Sequence, residues 1–265
     1  MDKYFLIPNN KNDLTDNLIL PLENHSIGFD VYFKVEEINA LAKEKNVSVI
    51  INRFMHKTDI ENIKSIIEKL ENIAYYFIED LGLTYFLPKE KVVITQNHII
   101  NNYESVNYFK TLGYENVLIN NDLTIEELKE IEEKTESNLF MYYIGKNNLM
   151  YSKRHLITSY SDHKGINLEN KKEIDEKMSG YKLLIKEEKC GTCIFNHSIY
   201  SANKYLKELN NINKIINLSN MTKEETEIIL NNYDNENLSE LIEIDDYFLI
   251  NKIAYKVGDL NGRNS

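Results

Sequence analysis

The chain has 265 residues, enough for one large domain with a sizeable core, and its 42 acidic against 31 basic residues leave a net charge of −11. That charge repels phosphate backbones and acidic membrane surfaces, so strong nucleic-acid binding by the chain alone is not expected. No apolar run is long enough for a membrane span. The start "MDKYFLIPNNKND" is too weakly apolar for a signal peptide, which points to the cytoplasm and to reduced cysteines.

Short apolar runs alternate with helix-period segments almost from the first residue. "KYFLIP" and "NLILPL" read as strands, followed by the helix "KVEEINALAKEKN" and the strand "VSVIIN". The helix "TDIENIKSIIEKLEN" carries Asp59 near its start and leads to the strands "IAYYFIE" and "VVIT". The next helix, "YESVNYFKTLG", ends at Gly113, a residue suited to a helix stop. The strand "NVLIN", the helix "TIEELKEIEEKTE" with Thr124 as N-cap, and the strand "NLFMYYIG" complete seven strands before residue 150.

Residues 151–180 are polar and patternless, as in a long irregular loop carrying function. Pattern returns with the strands "YKLLIKEE" and "GTCIFN", the helix "SANKYLKELNN", an eighth ring strand "KIINLS" and the helix "TKEETEIILNNYD". The last stretch, "YFLINKIAYKVGDLNGRNS", suggests one more strand and then a disordered tail over 259–265. Eight buried strands alternating with helices predict an α/β fold, a (β/α)8 TIM-barrel-like domain over 1–258 with its excursion after the seventh strand. No strand is followed by a glycine-rich phosphate loop, so a nucleotide site has no motif behind it.

A barrel of this kind builds its site at the C-terminal ends of its strands. The polar residues there are Asn9, Glu23, Asn52, Arg53, Glu79, Asp80, Gln96 and Asn120, with Gly145 after the seventh strand. Asn9 and Asn120 read more simply as turn formers. Glu79 and Asp80 are paired carboxylates beside the amide of Gln96, a set that can shift a proton or hold a cation. In "YSKRHLITSY", Arg154 suits a carboxylate or phosphate, His155 titrates, and Tyr151 and Tyr160 offer stacking surfaces. The catalytic candidates are therefore Glu79, Asp80 and His155, and the substrate-binding candidates Arg53, Gln96, Tyr151 and Arg154. No Gly-x-Ser-x-Gly elbow occurs, which leaves Ser152 without a case as a nucleophile.

The only two cysteines, Cys190 and Cys193, stand as C-x-x-C in "KEEKCGTCIFNHS". That spacing fits half a zinc site, a thiol pair or two packed strand residues. Zinc would need two further ligands, the nearest in sequence being His155, His163 and His197. Packed strand residues are the favoured reading, because free cysteine is among the most buried residue types.

The order of segments resembles peptidase family U32, the collagenase-like proteins. The resemblance is carried by Asp80 and Gly82 in "IEDLGLTYFLP", by Thr95 and Gln96 at the end of "VVITQ", and by Asn120 to Leu123. It continues through Gly145, Tyr151, Ser152 and Arg154 in "YYIGKNNLMYSKRHLITSY" to "EEKCGTCIFN". The resemblance implies a barrel. Several bacterial branches hold an iron–sulfur cluster on four cysteines and hydroxylate aromatic compounds or RNA bases without oxygen. Two of those cysteines fall where this chain has Asn148 and His155, and none follows in 156–189. Thiolate ligands are not replaced by amides, so neither a cluster nor zinc is expected, and no cofactor is assigned. The implied role is a cluster-free binding or accessory subunit, in a hetero-oligomer with a second U32-type chain. A peptide hydrolase and a non-catalytic scaffold are the alternatives.

Overall fold

The computed structural model describes residues 4–12, 14–96, 99–176 and 180–250. Its first half is a regular strand–helix succession. Strands β1 (Tyr4–Ile7) and β2 (Asn17–Pro21) are followed by α1 (Val35–Leu41), β3 (Asn46–Ile51) and α2 (Lys57–Ile67). Then come β4 (Tyr76–Ile78), β5 (Val92–Ile94), α3 (Tyr103–Thr111), β6 (Asn116–Leu118), α4 (Ile125–Lys134) and β7 (Asn138–Gly145). The second half holds β8 (Asn148–Ser152), α5 (Leu156–Lys164), β9 (Lys171–Asp175), β10 (Lys182–Glu188) and β11 (Gly191–Asn196). It ends with β12 (Ile199–Ser201), β13 (Asn213–Asn217), α6 (Lys223–Asn232) and β14 (Ile244–Asp245).

Strands β1 to β7 pair in sequence and in parallel, and β13 closes the ring by pairing in parallel with both β7 and β1. This is a closed eight-strand (β/α) barrel. Both faces of each strand are buried, so alternate residues serve two cores. Ile7, Ile19, Ile50, Phe77, Val93, Leu118, Phe140 and Ile215 fill the inside, whereas Leu18, Leu20, Val49 and Ile78 face the helices. The helix ends follow from local chemistry: Thr124 and Thr222 accept from the amides of Glu127 and Glu225, and Gly113 takes a positive φ of 88° after α3. At the N-terminal end, Asn213 Nδ2 donates to Asn138 Oδ1 at 2.7 Å, and Asn138 Nδ2 donates to Asn116 Oδ1 at 2.8 Å. This asparagine ladder satisfies polar groups at the bottom of three adjacent strands.

Two expectations differ from the structure. The excursion at 151–180 is not an irregular loop. It belongs to a four-stranded antiparallel sheet, β8–β11–β10–β9, carrying α5. Strand β9 is an edge whose residues are mostly exposed, so it has no apolar alternation to read. The segment "SANKYLKELNN" forms a 3₁₀ stretch, Asn203–Glu208, instead of an α-helix. The fully buried Asn203 amide donates to the carbonyls of Tyr233 at 2.7 Å and Asn235 at 3.1 Å, which fixes that turn. The last stretch, expected to begin a strand at Tyr247, starts with a 3₁₀ turn at Tyr247–Leu249, and the remainder of that stretch and the tail lie outside the described residues.

Candidate functional site

All eight barrel strands end at one mouth, and the antiparallel sheet folds back over it. Cross-strand pairing places Glu187 and Thr192 on one face of that sheet, and Lys186, Glu188, Cys193 and Phe195 on the other. The first face holds α5. The Glu187 carboxylate accepts from Ile157 N at 2.7 Å and Thr158 N at 3.2 Å, and Thr192 Oγ1 accepts from Leu156 N at 3.0 Å. Burial alone would raise the Glu187 carboxyl, but the hydrogen bonds from Thr158, Ile157 and Thr192 hold it below the usual range.

The second face grips the loop between β2 and α1. Lys186 Nζ donates to Phe29 O at 2.5 Å and lies 3.5 Å from Asp30, while Glu188 accepts from Gly28 N at 3.2 Å and Tyr32 OH at 2.5 Å. From the barrel, Asn220 donates through Nδ2 to Gly28 O at 3.2 Å and through its backbone to Asp30 at 2.6 Å. Burial, then the Glu188 charge, pushes the Tyr32 hydroxyl well above its ordinary value, so it stays a donor.

Between this sheet and the strand ends lies a cavity of about 460 Å³. Its walls include six aromatic rings: Phe29, Phe54, Tyr142, Tyr151, Phe195 and Phe248. Phe54 and Tyr151 stack, with centroids 5.2 Å apart and planes 17° from parallel. The Tyr151 hydroxyl donates to Cys190 O at 3.1 Å. Between the rings stand amides and a carboxylate. Glu79 accepts from Thr95 Oγ1 at 3.4 Å, and its backbone carbonyl accepts from Gln96 Nε2. Burial, then Glu79, raises the Tyr142 hydroxyl, which keeps that ring neutral.

Of the residues singled out in the sequence, Glu79, Gln96 and Tyr151 line this cavity, as do Asn52, Asn120 and Gly145. Asp80, Arg53, Arg154 and His155 are not among the residues that line it. Successive residues of an extended chain point to opposite sides, so Glu79 and Asp80 cannot both face the mouth. Asp80 instead accepts from Met55 N and Gly82 N, each at 2.9 Å. Arg53 points to the Asn24 carbonyl, to Asp59 at 3.8 Å and to the side chain of Tyr151 on the cavity wall, with which it hydrogen-bonds. Asn52 itself clasps Ile27, accepting from its amide at 2.9 Å and donating to its carbonyl at 3.0 Å. Arg154 and His155 are exposed on the turn into α5, with the His155 ring 3.2 Å from Lys189 O. Asn120 is the turn former expected, accepting from Asp122 N at 3.3 Å.

Sequence reasoning missed Lys146, Phe54, Tyr142, Phe195 and Gly28. Lys146 follows Gly145 directly and Phe54 follows Arg53, so a slightly longer reading of each strand end would have included them. Nothing in the sequence announces that the Phe195 strand folds back onto Gly28. Lys146 is nearly fully buried, and its ammonium pairs with Glu225 at 3.3 Å.

An iron–sulfur cluster held on four cysteines would need two more thiols than this chain has. Cys193 is fully buried among Ile27, Leu184 and Phe195, and burial, then the Glu188 charge, pushes its thiol up to about 12. Cys190 sits in the turn joining β10 to β11. Asn148 lies beside Cys193, with Nδ2 3.9 Å from Sγ, and its Oδ1 accepts from Met150 N at 3.1 Å. His197 lies 3.0 Å from Glu173. Among the described residues no group of three or more His, Cys, Asp or Glu side chains could hold a metal ion.

The sequence model of peptidase family U32 matches residues 30–243. Among solved structures, the U32 peptidase Mk0906 is similar in fold, with 14% identity and a TM-score of 0.50. The match covers 83% of this chain and 93% of that one. No curated protein matches the chain. Among the described residues, no helix is long and apolar enough to cross a membrane.

Proposed function

The chain belongs to peptidase family U32, and from that premise we propose that it is a cluster-free binding subunit whose barrel mouth takes a flat aromatic group. The observation that carries this reading is the cavity of about 460 Å³, walled by six rings and edged by the amides of Asn52, Gln96 and Asn121. Such a site buries the faces of a planar ring and hydrogen-bonds its edge. The resemblance implies that several bacterial branches act on aromatic compounds or RNA bases, and this chain lacks their four cysteines, so the redox step would belong to a cluster-bearing U32 partner. The present chain would contribute binding and orientation.

Peptide hydrolysis, which the family name suggests, has one supporting contact, the hydroxyl of Thr95 on Glu79. At 3.4 Å it is longer than a nucleophile–base bond, and Thr95 is nearly fully buried. The test is saturation-transfer NMR with phenol and uracil, run on the wild type and on Tyr151→Ala and Phe54→Ala. Binding that is lost in both variants supports the aromatic site. Binding unchanged by either variant, together with peptide cleavage abolished by Thr95→Val, would favour the hydrolase.

A further inference from the structure

Several amides of the mouth are spent on the protein itself. Both ends of Asn52 clasp Ile27, Asn120 donates to Asn101 Oδ1 at 2.9 Å and accepts from Asp122 N at 3.3 Å, and Gln96 Nε2 donates to the Glu79 carbonyl. Two donors on neighbouring strands stand apart from these. Tyr142 on β7 is paired in register with Ile215 on β13, and both side chains pack in the inner core. Asn217, two residues beyond Ile215, shares that inward face one step nearer the mouth, and it lines the cavity as Tyr142 does. The Asn217 amide has a defined orientation: its Oδ1 accepts from the Ser219 backbone amide at 3.0 Å, so the end that remains is Nδ2, a donor. Gly145 makes room beside it, since a Cβ there would lie 3.1 Å from Asn217 Cβ. Neither Asn217 Nδ2 nor the Tyr142 hydroxyl has a hydrogen-bond partner among the described residues, and neither atom is sealed inside the protein, so both open into the cavity. Burial, then Glu79, holds the proton on Tyr142.

We propose that Tyr142 and Asn217 form a two-donor site for the carbonyl oxygen of an aromatic ligand, so that the cavity takes aryl ketones, aldehydes or amides in preference to rings of the same shape without that oxygen. The inference rests on the aromatic-binding reading above and adds the functional group that the ring carries. A carbonyl oxygen has two lone pairs and no proton, so it can take both donors at once. A plain ring would strip both donors of water and leave them unpaired, which costs binding.

Acetophenone and ethylbenzene are close in shape and differ in the carbonyl, which makes them suitable probes. A cavity without spare donors would favour ethylbenzene, because the ketone gives up its hydrogen bonds to water on entry. Titrations followed by ligand-observed NMR should instead give acetophenone the tighter binding, by about 5- to 100-fold. Tyr142→Phe keeps the ring, and Asn217→Asp keeps the acceptor for Ser219 N; each should reduce that preference by about 2- to 10-fold. The carbonyl carbon resonance of bound acetophenone should move upfield in each variant as a hydrogen bond is lost, and unfolding curves confirm that each is folded. Ethylbenzene binding as tightly as acetophenone to the wild type, or more tightly, would overturn the carbonyl site and leave the aromatic site standing. A preference that either variant leaves at its wild-type size would overturn the assignment to these two donors. Binding of neither ligand would overturn both readings.

Discussion

Gly28 is where the folded-back sheet meets the barrel loop, and replacing it with alanine tests that seam. Its φ is +91°, a region that costs a residue with a side chain about 1–2 kcal/mol. A Cβ there would fall 2.8 Å from Phe195 Cζ and 3.4 Å from Cys193 Sγ, so the Phe195 ring must move. Overpacking of that kind adds roughly 1–3 kcal/mol. The sum, roughly 2–5 kcal/mol, predicts a fall in Tm of roughly 4–20 °C. Gly165→Ala is the control, because Gly165 has a φ of 64° and nothing within 4 Å of its Cβ position. It carries the backbone cost alone. Denaturant unfolding of the two variants separates the packing cost from the backbone cost. Because Phe195 also lines the cavity, Gly28→Ala should weaken phenol binding and Gly165→Ala should not. Equal stability losses in the two variants would refute the close approach of sheet and loop.

His25 is nearly fully buried, and burial, then the neighbouring Arg53, lowers its pKa from 6.5 to about 4. The neutral ring is favoured only in the folded state, so its contribution is complete above pH 6.5 and is lost as pH falls toward 4. The loss is up to roughly 3 kcal/mol, and His25→Gln should flatten that window in a pH series of urea unfolding curves. Glu187 has a depressed folded pKa, so its contribution holds above its ordinary value of 4.5 and disappears as pH falls through the folded value. Glu187→Ala leaves the Ile157 and Thr158 amides without their acceptor and should cost roughly 2–5 kcal/mol, seen as early loss of hydrogen-exchange protection in α5. Asn138→Ala breaks the asparagine ladder on both sides and should cost roughly 1–3 kcal/mol by urea unfolding, with ligand binding at the opposite end unchanged. Anaerobic purification should yield no stoichiometric iron or acid-labile sulfide, since Asn148 and His155 stand at two expected cysteine positions. Stoichiometric amounts of both would overturn the cluster-free reading.

The barrel was legible because its strands are buried on both faces and read as unbroken apolar runs, from "NLILPL" to "KIINLS". Helix ends at Gly113 and Thr124 were legible for the same kind of reason, since each follows from the chemistry of a few adjacent residues. The sheet over the mouth was half legible: "YKLLIKEE" and "GTCIFN" read as the strands that form β10 and β11, whereas β8 and β9 did not read as strands of a sheet. Its edge strand β9, "KKEID", has one apolar residue, Ile174, and the buried carboxylate of the sheet, Glu187, is satisfied by amides thirty residues earlier. The site was half legible: the strand ends gave the right end of the barrel, and Glu79, Gln96 and Tyr151 reach the cavity. Which residues past a strand end line the mouth depends on the turn that follows, where Asp80 caps the next turn and accepts from Met55 N and Arg53 reaches Asn24, Asp59 and Tyr151.

A crystal structure of the chain soaked with phenol tests the central claim most directly. The account predicts difference density for the ring inside the mouth cavity, against the stacked pair Phe54–Tyr151 or the face of Phe195, with its hydroxyl within hydrogen-bonding distance of Glu79, Gln96 or Asn121. Density only on the outer turn near Arg154 and His155, with the cavity holding ordered water alone, would contradict it.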